Sequence, residues 1–174
     1  MLTKKLSRRD LGFGATALAL TACAKSGSTA EAAEMKQMTE TSSNIDWTNL
    51  SEREWEERLT PMEFNVLRKE GTERPGSSPL NDEKRTGTYV CAGCELPLFT
   101  SEQKYESGTG WPSFTQPYKQ NVVSYHKDSS FGMIRIEITC SVCDCHLGHV
   151  FPDGPKDESL RYCVNSISLK KRNN

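Results

Sequence analysis

Four of the chain's seven cysteines fall into two pairs, Cys91-Ala92-Gly93-Cys94 and Cys140-Ser141-Val142-Cys143, and this pattern constrains the fold more than any other feature. Each pair sets two thiolates about one turn apart. Two such knuckles make a tetrahedral four-sulfur site that suits zinc and leaves no open position for substrate. The 46 positions from Cys94 to Cys140 exceed an ordinary zinc-ribbon spacing. One structural Zn2+ on Cys91, Cys94, Cys140 and Cys143 would therefore tie together distant parts of a domain. Two disulfides or a thioredoxin-like redox pair are the competing readings, but a redox pair sits in a βαβ setting, which this sequence lacks. Thiolate–zinc bonds contribute ~10 kcal/mol or more of apparent folding free energy, so a small core becomes sufficient. Cys145 offers a third candidate beside Cys140 and Cys143; the matched spacing leaves it, with Cys163, outside the metal.

The 174 residues fit one domain plus an appended segment. A net charge of −1 gives no electrostatic footprint for nucleic acid, and the basic clusters near Lys4 and Lys170 read as solvated termini. Residues 1–22 read as a signal peptide: Lys4, Lys5, Arg8 and Arg9 precede a short apolar run, Leu11 to Ala22. That run is too short for a stable membrane span and suits a signal core. Ser7-Arg8-Arg9-Asp10-Leu11 resembles a twin-arginine export signal. Leu20-Thr21-Ala22-Cys23 resembles the box before the lipidated cysteine of bacterial lipoproteins. Cleavage there would leave a diacylated Cys23 and a periplasmic or membrane-anchored protein; a plain signal peptide is the alternative. Residues 23–45, poor in anything to bury, read as a flexible linker, and 46–174 as the folded domain.

Two short helices are expected to open that domain. Ser51-Glu52-Arg53-Glu54 and Thr60-Pro61-Met62-Glu63 both have capping-box form, Pro61 suits a first helical position and Gly71 a stop. Trp55, Leu59, Phe64 and Leu67 would supply the buried face. Thr72 to Gly87 reads as a surface loop. Thr88 to Val90, Val122 to Tyr125, Met133 to Thr139 and Tyr162 to Leu169 read as strands. Ile134, Ile136 and Ile138 alternate with Arg135, Glu137 and Thr139 as in a strand with one buried face. The expectation is a mainly β, small antiparallel domain with short N-terminal helices, stapled by a four-cysteine zinc site.

Three further stretches have compositions that packing alone does not request: Ser107-Gly108-Thr109-Gly110-Trp111-Pro112-Ser113-Phe114, His146-Leu147-Gly148-His149-Val150-Phe151-Pro152-Asp153-Gly154 and Arg161-Tyr162-Cys163-Val164-Asn165-Ser166. Together they supply a thiol, an imidazole, a guanidinium and an aromatic wall, which is what attack on an oxidised sulfur requires.

Through these stretches and Cys-Ala-Gly-Cys, the region from Lys84 to Leu169 resembles the methionine-R-sulfoxide reductase B family, and the helical run from Asp46 resembles its N-terminal part. The resemblance implies a β-tent (Mss4-like) fold and repair of methionine-R-sulfoxide in oxidised proteins. It makes Cys163 the nucleophile, left as a sulfenic acid, with Arg161 and nearby histidine lowering its pKa. It makes His149 the general acid, has Asp153 and Asn165 orient the histidine and the polar pocket, and gives Trp111 the substrate's ε-methyl group. His146 and Phe151 would join Trp111 in binding substrate. Many members carry a resolving cysteine where this chain has Thr109. Reduction would then come from a thioredoxin-like or other external thiol, or from Cys145 as a replacement resolver. Partners are oxidised proteins and that reductant, with no nucleic acid, a membrane only through the lipid anchor, and a monomeric state.

Three rival classes are weighed. A non-catalytic zinc-binding interaction module would have no use for Cys163, His149 and Arg161 together. A zinc hydrolase needs the open metal position that four thiolates deny. A thiol peroxidase would not need the Trp111 pocket.

Overall fold

The computed structural model describes residues 45–156 and 159–173; the export, lipidation and linker expectations lie outside them. Among the described residues, helix α1 (Glu52–Arg58) and helix α2 (Pro61–Arg68) lead nine strands. Both helices start on reciprocal capping boxes, Ser51 with Glu54 and Thr60 with Glu63, and Pro61 occupies the first turn of α2. These caps satisfy backbone N–H groups that a helix start leaves free. At the other end of α2 the left-handed residue is Glu70, at φ 54°, and not Gly71. Gly71 instead donates its N–H to Asn65 O at 3.0 Å, one residue farther back than the long bond of a Schellman turn. A methyl group on Gly71 would lie 2.8 Å from that same oxygen, so the close approach needs glycine. Trp55, Val66 and Leu67 are buried on the helices and Leu59 at the C-cap of α1; Phe64 is half-buried against the same core.

The strands form two antiparallel sheets. β1 (Thr88–Cys91), β2 (Pro97–Thr100) and β9 (Leu169–Arg172) make a three-stranded sheet in the order β2-β1-β9. The other is six-stranded, in the order β3-β4-β8-β7-β6-β5. Its members are β3 (Lys104–Tyr105), β4 (Ser113–Phe114), β5 (Val123–Asp128), β6 (Arg135–Cys140), β7 (His146–Phe151) and β8 (Arg161–Val164). An aromatic layer joins the sheets. Phe99 of β2 stacks on Phe114 of β4 at 4.3 Å between ring centroids, Tyr89 of β1 meets Phe114 edge-on at 5.1 Å, and Tyr162 of β8 borders Phe99. Tyr89, Phe99 and Phe114 are fully buried.

The structure corrects the sequence reading in three places. The single strand expected from Tyr162 to Leu169 is two strands in different sheets, separated by a 3-10 turn at Ser166–Ser168. The break is polar: Ser166 gives its N–H and hydroxyl to Glu73, and Ser168 Oγ donates to His146 O at 2.9 Å. The isoleucine face is buried only at Ile138, while Ile134 is 78% exposed. Burial along β5 and β6 is confined to the Val123 and Cys140 ends, which pair with each other. Finally, the loop after Gly71 is not wholly on the surface, because Glu73 is buried within it.

Phe114→Ala removes the ring on which both sheets close. It is expected to destabilise the domain by about 3–5 kcal/mol, read as a lower denaturation midpoint in urea at unchanged slope.

Candidate active site and metal centre

The two cysteine pairs adopt the same turn. Glu95 N–H bonds Cys91 O and Asp144 N–H bonds Cys140 O, both at 2.9 Å; Cys91 N–H then bonds Leu96 O and Cys140 N–H bonds Cys145 O. Glu95 and Asp144 take equivalent left-handed conformations at φ 64° and 55°. The four Sγ atoms of Cys91, Cys94, Cys140 and Cys143 lie within 4.8 Å of one another. The pairs Cys91–Cys143 and Cys94–Cys140 are each 3.5 Å apart. A tetrahedron with metal–sulfur bonds of ~2.3 Å has edges of about 3.8 Å, so these side chains fit a four-thiolate metal. β1 and β6 belong to different sheets, and the metal would cross-link them. In this arrangement Cys145 is the counterpart of Leu96, a buried residue whose carbonyl closes the knuckle.

Elsewhere on the six-stranded sheet, β7 and β8 pair so that His149 faces Cys163 directly. Directly opposed residues project from the same face of a sheet. A cavity of about 130 Å³ lies over them, lined also by Trp111, Phe151, Arg135 and Asn165. Gly148 sits between the strands at φ 151°; a methyl group there would lie 2.1 Å from the Cys163 carbonyl oxygen. Only glycine permits that approach. Trp111 is aimed by its indole, whose Nε1–H donates to Glu73 O at 3.2 Å. Its turn is held by Gly110 at φ 87°, packed on Pro75 and accepting from Gly76 N–H at 2.7 Å.

The charged groups come in strand-to-strand pairs. His149 Nε2 lies 2.8 Å from Asp128 Oδ2, and His146 Nδ1 lies 2.6 Å from Glu137 Oε1. Arg161 grips Asp153 through two hydrogen bonds of 2.9 Å and covers the Phe151 ring at 4.4 Å. Burial holds His149 below the ordinary imidazole pKa; Arg135 and His146 push the same way, and the bond to Asp128 opposes them. Burial likewise pushes the Cys163 thiol up, and the pull of Arg161 and of the Thr109 hydroxyl only partly offsets it. The expectation of a lowered thiol is thus reversed, because a half-buried sulfur loses more hydration than one guanidinium returns.

Most of the expected site residues converge on this cavity. Three differ from their expected places. Asp153 bonds Arg161, and the carboxylate on His149 is Asp128, which sequence reading missed. His146 stands behind His149, with ring centroids 5.6 Å apart, and lines a separate polar cavity with Glu137 and His126. Cys145 is buried against the metal cysteines, and its Sγ approaches the guanidinium of Arg68 at 3.9 Å. It precedes β7 and lies four residues from His149, the partner of Cys163, about 13 Å at strand rise. A direct disulfide needs a Cα separation below ~7 Å, so Cys145 cannot resolve Cys163 in this fold.

Asn165 supports the pocket without touching the histidine. Its Oδ1 accepts from Glu73 N–H at 3.2 Å and its Nδ2 donates to Leu147 O at 3.3 Å. Glu73 is the second residue that the sequence hid: one buried side chain and its backbone hold Trp111, Asn165 and Ser166. No sequence signal set it apart, since the same loop also carries Asp82 and Glu83.

The sequence matches known proteins over the whole of this region. The SelR domain family matches residues 59–173. Peptide methionine sulfoxide reductase MsrB of Saccharophagus degradans is 50% identical over 125 residues, 72% of this chain and 93% of that one. The protein of the same name from Leptospira interrogans is 55% identical over 122 residues, 70% and 93% of the two chains. That of Bradyrhizobium diazoefficiens is 53% identical over 120 residues, 69% and 86%. With a thiol and an imidazole paired under an aromatic wall, and a four-thiol centre beside them, the chain belongs to the SelR-domain family of MsrB peptide methionine sulfoxide reductases.

Proposed function

We propose that the chain reduces methionine-R-sulfoxide in oxidised proteins, with Cys163 as nucleophile and His149 as acid. The observation that carries this reading is the direct pairing of His149 with Cys163 beneath Trp111. At neutral pH the pair rests as thiol and neutral imidazole, given the directions of their shifts. Transfer of the Cys163 proton to His149 creates the reactive pair, thiolate and imidazolium. The thiolate attacks the sulfoxide sulfur, and the imidazolium protonates its oxygen as the S–O bond breaks. Oxygen passes to Cys163, giving a sulfenic acid and methionine; the substrate sulfur gains two electrons and the cysteine sulfur loses two. Trp111 and Phe151 offer apolar surface to the substrate methyl group.

Return to the thiol comes from outside. Thr109 holds the position of a resolving cysteine beside Cys163, and a hydroxyl forms no disulfide. An external thiol of thioredoxin type condenses with the sulfenic acid, releasing water, and a second donor thiol frees Cys163. The metal is proposed to be one structural zinc, since four thiolates in a closed tetrahedron suit it. None of those thiolates lines the cavity. The working form is proposed to be a monomer, exported on residues 1–22 and anchored through lipid on Cys23. The support for export is the charge-then-apolar pattern ending in Leu20-Thr21-Ala22-Cys23.

Cys163→Ser is expected to abolish turnover of the R epimer while leaving the metal bound. A sulfenic-acid trap on the oxidised wild type should label Cys163 with no Cys145–Cys163 peptide. Unchanged turnover by the variant, in a stereospecific assay on peptide sulfoxide, would refute the mechanism. Elemental analysis should find one zinc per chain, lost together with the folded state in Cys94→Ser; a full complement of iron would overturn the zinc assignment. Mass spectrometry of the mature protein in a bacterial host is expected to show a diacylated Cys23 at the N-terminus, and an intact Met1 there would exclude export by this route.

A further inference from the structure

His149 reaches the cavity with one ring nitrogen already engaged. Its Nε2 and the Asp128 carboxylate are 2.8 Å apart, with side chains only 14% and 13% exposed. Asp128 is the last residue of β5, and the hairpin that follows is built to hold its carboxylate. Ser130 gives its backbone N–H to Oδ1 at 2.8 Å and its hydroxyl to the same oxygen. Arg135, the first residue of β6, donates to Oδ2 at 2.5 Å. These hydrogen bonds, the Ser130 hydroxyl foremost, keep Asp128 well below the usual carboxylate range. An ionised carboxylate only accepts, so the proton between the two residues belongs to His149 Nε2.

We infer that Asp128 is a positioning residue for the reaction: it fixes His149 as the Nε2–H tautomer and leaves Nδ1 as the nitrogen that exchanges a proton with the cavity. The inference rests on the proposed role of His149 as acid and adds what orients it. The logic is that of a carboxylate–imidazole–nucleophile triad, in which the buried acid sets tautomer and stabilises the imidazolium. Here the three members come from three strands, Asp128 on β5, His149 on β7 and Cys163 on β8. β6 runs between the first two and contributes Arg135 to lock the carboxylate. Without Asp128 either nitrogen could carry the single proton, and part of the population would present Nδ1–H to the cavity instead of an acceptor.

The charged groups around the ring make opposite contributions. Asp128 on β5 and Glu137, which faces His149 from β6, are anionic. Arg135 on β6, His146 on β7 and Arg161 on β8 are cationic or can become so. Cys163 on β8 is anionic once ionised. Removing the Asp128 charge therefore destabilises imidazolium, and removing the Arg135 charge stabilises it.

The test is nitrogen-resolved NMR of His149 in the metal-loaded protein, joined to pH–rate profiles for Asp128→Asn, Arg135→Gln and His149→Asn. In wild type the neutral ring should be the Nε2–H tautomer; finding the Nδ1–H tautomer overturns the inference without any variant. Asp128→Asn should mix the tautomers, move the His149 titration and the acid limb of kcat/KM to lower pH, and cut kcat by about 100-fold with KM little changed. Arg135→Gln should move the same titration to higher pH. An unaltered tautomer and titration in Asp128→Asn would show Asp128 to be structural only. His149→Asn separates the two ideas: full activity there removes His149 as the acid, whatever Asp128 does to its tautomer.

Discussion

The cross-link between the sheets is the constraint from which the rest of the domain follows. Cys91 and Cys94 sit at the end of β1 in one sheet, Cys140 and Cys143 at the end of β6 in the other. Their sulfurs stand at tetrahedral spacing. The helices brace this centre. Trp55 of α1 packs on Gly93, and Arg68 of α2 donates to Cys143 O at 3.1 Å while covering the Trp55 ring. From the end of α2 the chain turns at Glu70 and runs at once into Thr72 and Glu73, the strap that aims Trp111 and holds Asn165. A continuous path of contacts thus leads from the four-cysteine centre through α2 to the wall of the cavity. None of the four cysteines lines the cavity, yet this path connects them to its wall.

The cavity itself is a product of strand register. β7 and β8 place an imidazole opposite a thiol, and β5 and β6 deliver a carboxylate and a guanidinium to the same face. A slip of one residue in any pair would turn its side chains to the other face. Burial then sets the chemistry, raising the thiol and lowering the imidazole, so that neither is charged until a proton passes between them.

Much of this was legible in the sequence because it is local. Capping boxes name themselves within four residues, and a Cys-x-x-Cys pair defines its own turn. The cluster of Cys163, His149, Arg161 and Trp111 was legible from motif composition. What stayed hidden was set by partners far along the chain. Glu73 looks like any loop acid, and its bond to Ser166 spans 93 positions. Asp128 ends a strand of ordinary polar residues, and only the register of β5 on β6 and β6 on β7 brings it to His149. The family resemblance gave Asp153 a part in orienting the histidine, a place that this register gives to Asp128. Ile134 and Ile136 show the converse error: alternation identifies a face but not how far the opposing layer extends to cover it.

The long span between Glu73 and Ser166 also bears on when the cavity can exist. β1 pairs with β9, the last strand, and the strap closes on the turn just before it. Contacts of such sequence separation are made late, because loop-closure entropy must be met before they return anything. A chain emerging from its synthesis carries both metal knuckles, the Trp111 turn and His149 before Cys163 exists, and the tail beyond it must then seat β9. Assembly therefore completes the site last: β8 must seat between β4 and β7 to bring Cys163 opposite His149, and only the residues after it, Asn165 and Ser166, tie down the strap that aims Trp111.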